Sequence, residues 1–525
     1  MHPENIDDIQ LLPVRLSRDL SQQSDLFSPL ASPVTATEPD SPDASHVLER
    51  SLGLWSGMAI VVGSIIGSGI FSTPSLVLQE VGSTGMTLLV WSLGGAISLC
   101  GCLSYMELGT MLPRSGGEKE YLDVAFPQPR AMFSYMFCLC GVFISSASGA
   151  AADAVVTGAY FLYAANGSSV NADGQISKHA EWMQRLVGLG VVMFCTMAHA
   201  VFVRQAIRLQ NLLTVLKTVL LLVIVLVGLV GLAGGLRIDN PHSFRNPFHG
   251  TVHDASAYSS ALFKVFFSYA GYTTLNYSID ELKDPLKNLP RAAIGGLLVT
   301  TALYILTNIA YFSVLTPDAI MHSNTAVAGV FFSHAFNETW GHQVVPVFIG
   351  LAAFGTVMCS VFTMSRIIFE AAREGFLPWG HTIGQVSRFQ SPLYALAITC
   401  IICVLYIVVP PPGDAYNFLI DIGGYPTWFF CGLSVVGLLV MRRTHSGLDR
   451  PYKTWVVTNL VTIATAVYMC IVPFIRPKTG VGSSDDSSIP YWAAPFSGLL
   501  FIAFSCAMWY IRIVRQRGLE TSYYA

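Results

Sequence analysis

What most limits the fold of this chain is a succession of about 12 apolar stretches, each near 20 residues or longer, the length at which an α-helix crosses a bilayer. The first six run from Leu52 to Gln79, Thr84 to Met111, Ala131 to Ala164, Arg185 to Val203, Leu209 to Gly231 and Ala257 to Ile279. The others run from Ala292 to Leu315, Val344 to Ala371, Pro392 to Val409, Tyr416 to Met441, Trp455 to Ile475 and Tyr491 to Ile513. Soluble domains carry about 25% charged residues, whereas this chain of 525 residues is 12% charged and 53% hydrophobic, with mean hydropathy +0.54. The reading is an all-α polytopic membrane protein in contact with lipid, with no nucleic-acid partner.

Residues 1–50 are polar, rich in Pro, Ser and Asp, and lack the apolar core of a cleavable signal, which predicts a disordered tail that stays attached. Its Ser28-Pro29, Ser32-Pro33 and Ser41-Pro42 dipeptides are candidate phosphorylation sites, and the tail is a candidate docking segment for cytoplasmic regulatory partners. With the tail inside, Lys and Arg on inner loops outnumber those on outer loops by roughly three to one, the positive-inside asymmetry. Both termini are then cytoplasmic, and the outer loops carry the glycosylation sequons Asn166-Gly167-Ser168 and Asn337-Glu338-Thr339. All 11 cysteines fall in or beside apolar stretches and read as reduced packing thiols.

Two of the stretches are unsuited to an unbroken helix. Gly63-Ser64-Ile65-Ile66-Gly67-Ser68-Gly69-Ile70-Phe71 places three glycines and two serines in seven residues, and each Gly costs a helix about 1 kcal/mol. Phe266-Phe267-Ser268-Tyr269-Ala270-Gly271-Tyr272-Thr273-Thr274 in the sixth stretch likewise clusters small and hydroxyl residues. Unwound backbone at membrane depth survives only against protein or a water-filled cavity. Interruptions in spans one and six are corresponding members of two sets of five, and paired broken helices in matching positions point to a transporter site. An odd number of spans per set inverts the second relative to the first. The expected division is a first repeat over 51–235, an inverted second repeat over 256–441, two further helices within 453–515 and a short cytoplasmic tail at 516–525.

The helix that resumes near Gly69 or Ile70 carries unpaired N–H groups and the positive dipole end, which favour an anion such as a carboxylate. Gly67 and Gly69 leave room for it, and Ser68 adds a hydroxyl donor. A Gly-Ser-Gly is also a common helix-packing site, and the partner break in span six tips the balance. There, freed carbonyls suit an amino group, Phe267 is the candidate gate, and Tyr269 and Tyr272 are candidates for the apolar pocket. Ionisable residues inside spans require a reason. Lys217 in span five can reach between spans one and eight and take the place of a sodium ion. Asp153 and Lys264, both toward the outer half, are expected to pair across the outer vestibule during gating. Arg366 reads as structural, bonded to carbonyls or Glu370. Glu107 and Glu281 lie near cytoplasmic ends where ion pairs with Arg or Lys fit.

The stretches GSIIGSGIF (63–71) followed by TPS, YMELGTMLPRSGGEKEYL (105–122), FSYAGYTTLNYSIDELKDPLKNLPRA (267–292) and SRIIFEAAREGFLP (365–378) resemble the amino acid, polyamine and organocation superfamily, in its L-type amino acid transporter branch. The chain looks most like the fungal methionine permeases. The resemblance covers about Leu52 to Ile513 and implies a LeuT-type 5+5 inverted repeat with two added helices. It implies that the substrate is held at Ile65, Ile66, Gly67, Ser68, Gly69 and Ile70 and at Phe267, Ser268, Tyr269, Ala270, Tyr272 and Thr273, with Phe267 as gate and Ala270 beside the amino group. Animal members usually have Gly, Trp and Asn at the positions of Ala270, Tyr272 and Thr273, which bears on side-chain preference. They also carry a cysteine after span three for a disulfide to a heavy chain. The loop from Asn166 to Trp182 has none, so no such partner is expected. Lys217 matches the span-five lysine of sodium-independent members and leaves proton coupling and exchange both open.

The expected activity is sodium-independent uptake of a neutral amino acid, methionine foremost, across the plasma membrane by alternating access. The other readings are an amino acid sensor with little transport, a broad-specificity exchanger and, less well supported, an ion channel. No nucleophile-base pair or metal-ligand cluster is visible, so neither an enzyme nor a bound cofactor or metal is expected.

Overall fold

The first apolar stretch folds as two helices, α1 (Leu54–Ile65) and α2 (Gly69–Val81), bent by 46° at the glycine-serine break. The break begins where Ile66 turns extended, with φ −69° and ψ 94°. Pro74 inside α2 has no N–H to offer the Ile70 carbonyl; the Tyr311 hydroxyl meets that carbonyl at 3.4 Å, and the Tyr160 hydroxyl donates to the neighbouring Phe71 carbonyl.

The chain continues as α3 (Thr84–Met111), the short polar α4 (Glu118–Ala125), and α5 (Met132–Cys140), which runs through a π-helical turn at 141–146 into α6 (Ala147–Asn166). Then come α7 (Lys178–Val201), α8 (Val203–Leu232), α9 (Ala255–Tyr269), α10 (Pro285–Val314), α11 (Pro317–His322), α12 (Val327–Ala335) and α13 (Val345–Arg373). The last are α14 (Gly380–Ile383), α15 (Leu393–Val408), α16 (Ala415–Thr444), α17 (Val456–Ile471) and α18 (Ala493–Trp509). This computed structural model describes residues 52–166, 178–236, 241–336, 340–373, 375–387, 389, 391–410, 415–475 and 490–515. The two tails and the sequon residues 167–168 and 337–339 lie outside them.

Among the described residues there is no β-strand, and nine spans are long and apolar enough to cross a membrane, ten with the bent α1–α2 pair. The ninth stretch is the shorter α15, and the sixth is α9, whose helix stops at Tyr269. Beyond it the expected helical remainder to Ile279 is replaced by 3₁₀ turns at Thr274–Tyr277 and Ile279–Glu281. The physical reason lies in the residues: Gly271 sits at φ +110°, and the Thr274 hydroxyl donates to the Gly271 carbonyl at 2.7 Å, competing with the helix ladder.

Arg185 corrects one sequence assignment. Placed at the start of the fourth apolar stretch, it lies two turns inside α7, fully buried, paired with Glu181 at 2.8 Å and donating to the carbonyls of Ile407 and Pro410 at 3.3 and 2.5 Å. Ile407 is in the last turn of α15 and Pro410 lies two residues beyond it, so the guanidinium caps the end of a neighbouring helix. Helices approach closely where residues are small, as expected in a membrane: a Cβ on Gly57 of α1 would stand 3.2 Å from Ala292 of α10, and one on Gly355 of α13 would stand 2.7 Å from Leu213 of α8.

Candidate functional site

The two interruptions meet. A Cβ on Gly69, the first residue of α2, would stand 2.8 Å from the Ser268 Cα near the end of α9, and one on Gly271 would stand 2.9 Å from the Ser64 carbonyl. Both glycines therefore allow backbone to touch backbone. Thr73 and Ser268 share a hydroxyl hydrogen bond of 2.9 Å across the same contact. Gly67 differs: the nearest atom to its Cβ position is a Thr356 methyl at 3.6 Å, and it stays partly exposed. Of the two glycines expected to admit a carboxylate, only Gly67 keeps open space. Gly69 is spent on packing.

Tyr304 of α10 ties the breaks together. Its hydroxyl lies 2.8 Å from the Ile65 carbonyl and 2.9 Å from the Ser268 carbonyl, one acceptor from the helix end that borders each break. This residue was invisible to the sequence reading; the one available signal was a phenol inside an apolar span, since a buried hydroxyl requires a partner. Tyr269 is turned away from the cleft expected for it. It is buried against Trp91 and Tyr304, with ring centroids at 6.0 and 5.1 Å, and its hydroxyl donates to the Trp91 carbonyl at 3.3 Å. Tyr272 likewise faces α3, its ring edge-on to Tyr105 at 6.3 Å and its hydroxyl beside Gly101. Both brace the second break from the α3 side, Tyr269 from the last turn of α9 and Tyr272 from just after Gly271.

Phe267 is half-buried between α6 and α16, edge-on to Tyr416 at 6.5 Å, and Ala270 after it is exposed. Thr273 is half-buried and starts the first 3₁₀ turn. Ile65, Ile66 and Ile70 are buried at the first break. Seven of the twelve proposed substrate residues, Ile65, Gly67, Ser68, Gly69, Phe267, Ser268 and Ala270, thus flank or form the junction of the two breaks.

The three charged residues separate into two sets. Lys217 is 4% exposed on the face of α8 that carries Leu213 and Thr214, which pack on Gly355 of α13 and Gly63 of α1. That face of α8 is the one turned toward α1 and α13. Asp153 of α6, also 4% exposed, accepts a hydrogen bond from the Ser68 hydroxyl at the first break. Lys264 joins neither. Its ammonium pairs with Glu80 of α2 at 2.9 Å and donates to Ser260 at 2.6 Å. The expected Asp153–Lys264 pair is therefore not made in this conformation: each group already has a nearer partner.

Below the breaks, Glu107 is fully buried and accepts from Arg442 at 2.8 Å and from the Thr454 N–H at 2.8 Å. Arg366 donates to the Phe362 carbonyl at 3.3 Å, while Glu370 pairs with Arg373. Glu281 contributes its carbonyl, which accepts from the Leu52 N–H at 3.0 Å. Glu118 of α4 accepts from the Tyr277 hydroxyl behind the second break, and burial pushes its carboxyl above the usual range despite that bond.

A family profile described as amino acid permease matches residues 52–506. The chain is 33% identical over 452 residues to the high-affinity methionine permease of Saccharomyces cerevisiae, covering 85% of this chain and 76% of that one. It is 35% identical over 430 residues to the b(0,+)-type amino acid transporter 1 of Mus musculus, covering 82% and 83%. The Asc-type amino acid transporter 1 of Mus musculus is 32% identical over 443 residues, covering 83% and 79%.

Proposed function

Because the chain belongs to the amino acid permease family, we propose that it is a sodium-independent transporter, with no enzymatic step, that carries neutral L-amino acids, methionine foremost, across the plasma membrane. The observation that carries this reading is the junction of the two breaks. There an α-helix N-terminus beside Gly67 and Ser68 lies within one side-chain length of the C-terminal end of α9. Positive and negative dipole ends converge, and a zwitterion offers a carboxylate to one and an ammonium to the other. Ala270 and Phe267 stand at the ammonium side. In this reading Lys217 fills the place of a sodium ion between spans one and eight. Both termini are cytoplasmic, residues 51–235 and 256–441 are inverted repeats that rock about the site, and no disulfide-linked heavy chain is needed.

The test is uptake of labelled methionine, leucine and a basic amino acid by a transport-deficient host expressing the full chain. Methionine uptake unchanged when choline replaces sodium, and exceeding that of the basic amino acid, is the expected result. Uptake that vanishes without sodium overturns the role given to Lys217.

A further inference from the structure

The Ser68 hydroxyl, assigned above to the substrate carboxylate, is already given to a protein carboxylate, that of Asp153. Resting on the substrate placement just proposed, this creates a conflict. The N-terminus of α2 favours an anion, and two carboxylates at one such site repel unless one is protonated. Lys217, buried on the face of α8 that packs on α1 and α13, is the cationic side chain of this region. The other groups around Asp153 do not resolve the conflict. Tyr416 of α16 shares a hydrogen bond of 2.7 Å with Ser72, and α13 contributes the thiol of Cys359. On α7, Glu181 and Arg185 pair with each other, and His199 bonds to the Met358 carbonyl at 3.1 Å. Lys264 is paired with Glu80 at 2.9 Å, and Asp421 is a further carboxyl on α16.

We propose that Asp153 carries the coupling proton. Ionised, it holds Ser68 and occupies the anion position at α2 opposite Lys217; protonated, it yields both to the amino acid carboxylate. The cycle balances. A proton from the outer solution binds the Asp153 carboxylate, Ser68 is released to the incoming substrate, and the zwitterion binds. After reorientation the amino acid leaves, Asp153 loses its proton to the inner solution, and the Ser68 bond reforms. One proton enters with each amino acid.

The test uses the full chain in liposomes containing a pH dye, with labelled methionine outside. For the wild type, methionine acidifies the interior, and the apparent Kd rises with outer pH by up to about tenfold per unit once Asp153 is ionised. Asp153→Asn is expected to show a Kd that no longer varies between pH 5 and 8 and to move no protons. A wild type that binds methionine without moving protons, or an Asp153→Asn variant that keeps the wild-type pH slope, overturns the proposal while leaving the substrate site standing. A wild type that binds no methionine at any pH removes the site reading itself, and this inference with it. Should Asp153→Asn not reach the membrane, Ser68→Ala decides. Without its donor the ionised carboxylate is less stable, so the pH profile of the residual uptake shifts to higher pH, and an unshifted profile overturns the proposal.

Discussion

In the first break an α-helix resumes at Gly69, whereas in the second the chain leaves α9 at Tyr269 and passes through Gly271 into 3₁₀ turns. The first therefore presents a helix N-terminus to the junction and the second a helix C-terminus. The same small-residue composition yields opposite local charge, and the direction of the adjoining helix decides which. The glycines divide along the same line. Gly69 and Gly271 serve contact between the two segments, while Gly67 keeps space beside the dipole.

The comparison breaks most completely at Gly69. Gly69→Val drives side-chain atoms into the Ser268 backbone, an overpacking cost of about 1–3 kcal/mol or more. Uptake at background level is expected, with membrane insertion retained on fractionation. Tyr304→Phe removes the one hydroxyl proton that the Ile65 and Ser268 carbonyls share, at a cost of about 1–3 kcal/mol. A lower melting temperature in detergent and roughly tenfold slower uptake should follow.

Gly67→Ala sharpens the contrast rather than breaking it. The added methyl meets nothing closer than 3.6 Å, so the melting temperature should hold. Methionine affinity should fall about tenfold, or 1.4 kcal/mol, because the methyl takes space meant for the carboxylate. An equal loss of stability at Gly67 and Gly69 would erase the distinction between them. On the other side, Phe267→Ala deletes an edge contact with Tyr416 worth about 0.5–1.5 kcal/mol, which predicts a KM raised roughly threefold to tenfold.

The smallest effect concerns the brace behind the second break. Burial raises the Glu118 carboxyl, so the folded state binds its proton more tightly than the unfolded chain. Stability then declines as pH rises from the ordinary carboxylate value through the raised one, and levels off above it. Glu118→Gln should flatten that decline in melting curves taken across the window.

The sequence carried the positions of both breaks, because local composition alone sets helix cost. Lys217 was visible too, as a lone cation inside an apolar span, and it is buried on the face of α8 that meets α1 and α13. What it could not carry were pairings between residues remote in the chain. Asp153 and Lys264 were visible as buried charges, yet the partners Ser68 and Glu80 depend on how α6, α9 and α2 cross. Tyr269 and Tyr272 looked like pocket residues from their place in the motif. Both instead pack against α3, a direction that depends on how α3 crosses α9.

The central claim is that the amino acid carboxylate sits at the N-terminus of α2. Competition of labelled methionine uptake by methioninamide, which keeps the ammonium and side chain but lacks the carboxylate, tests it directly. The amide should compete at least a hundredfold more weakly than unlabelled methionine. Competition equal to that of methionine would contradict the account.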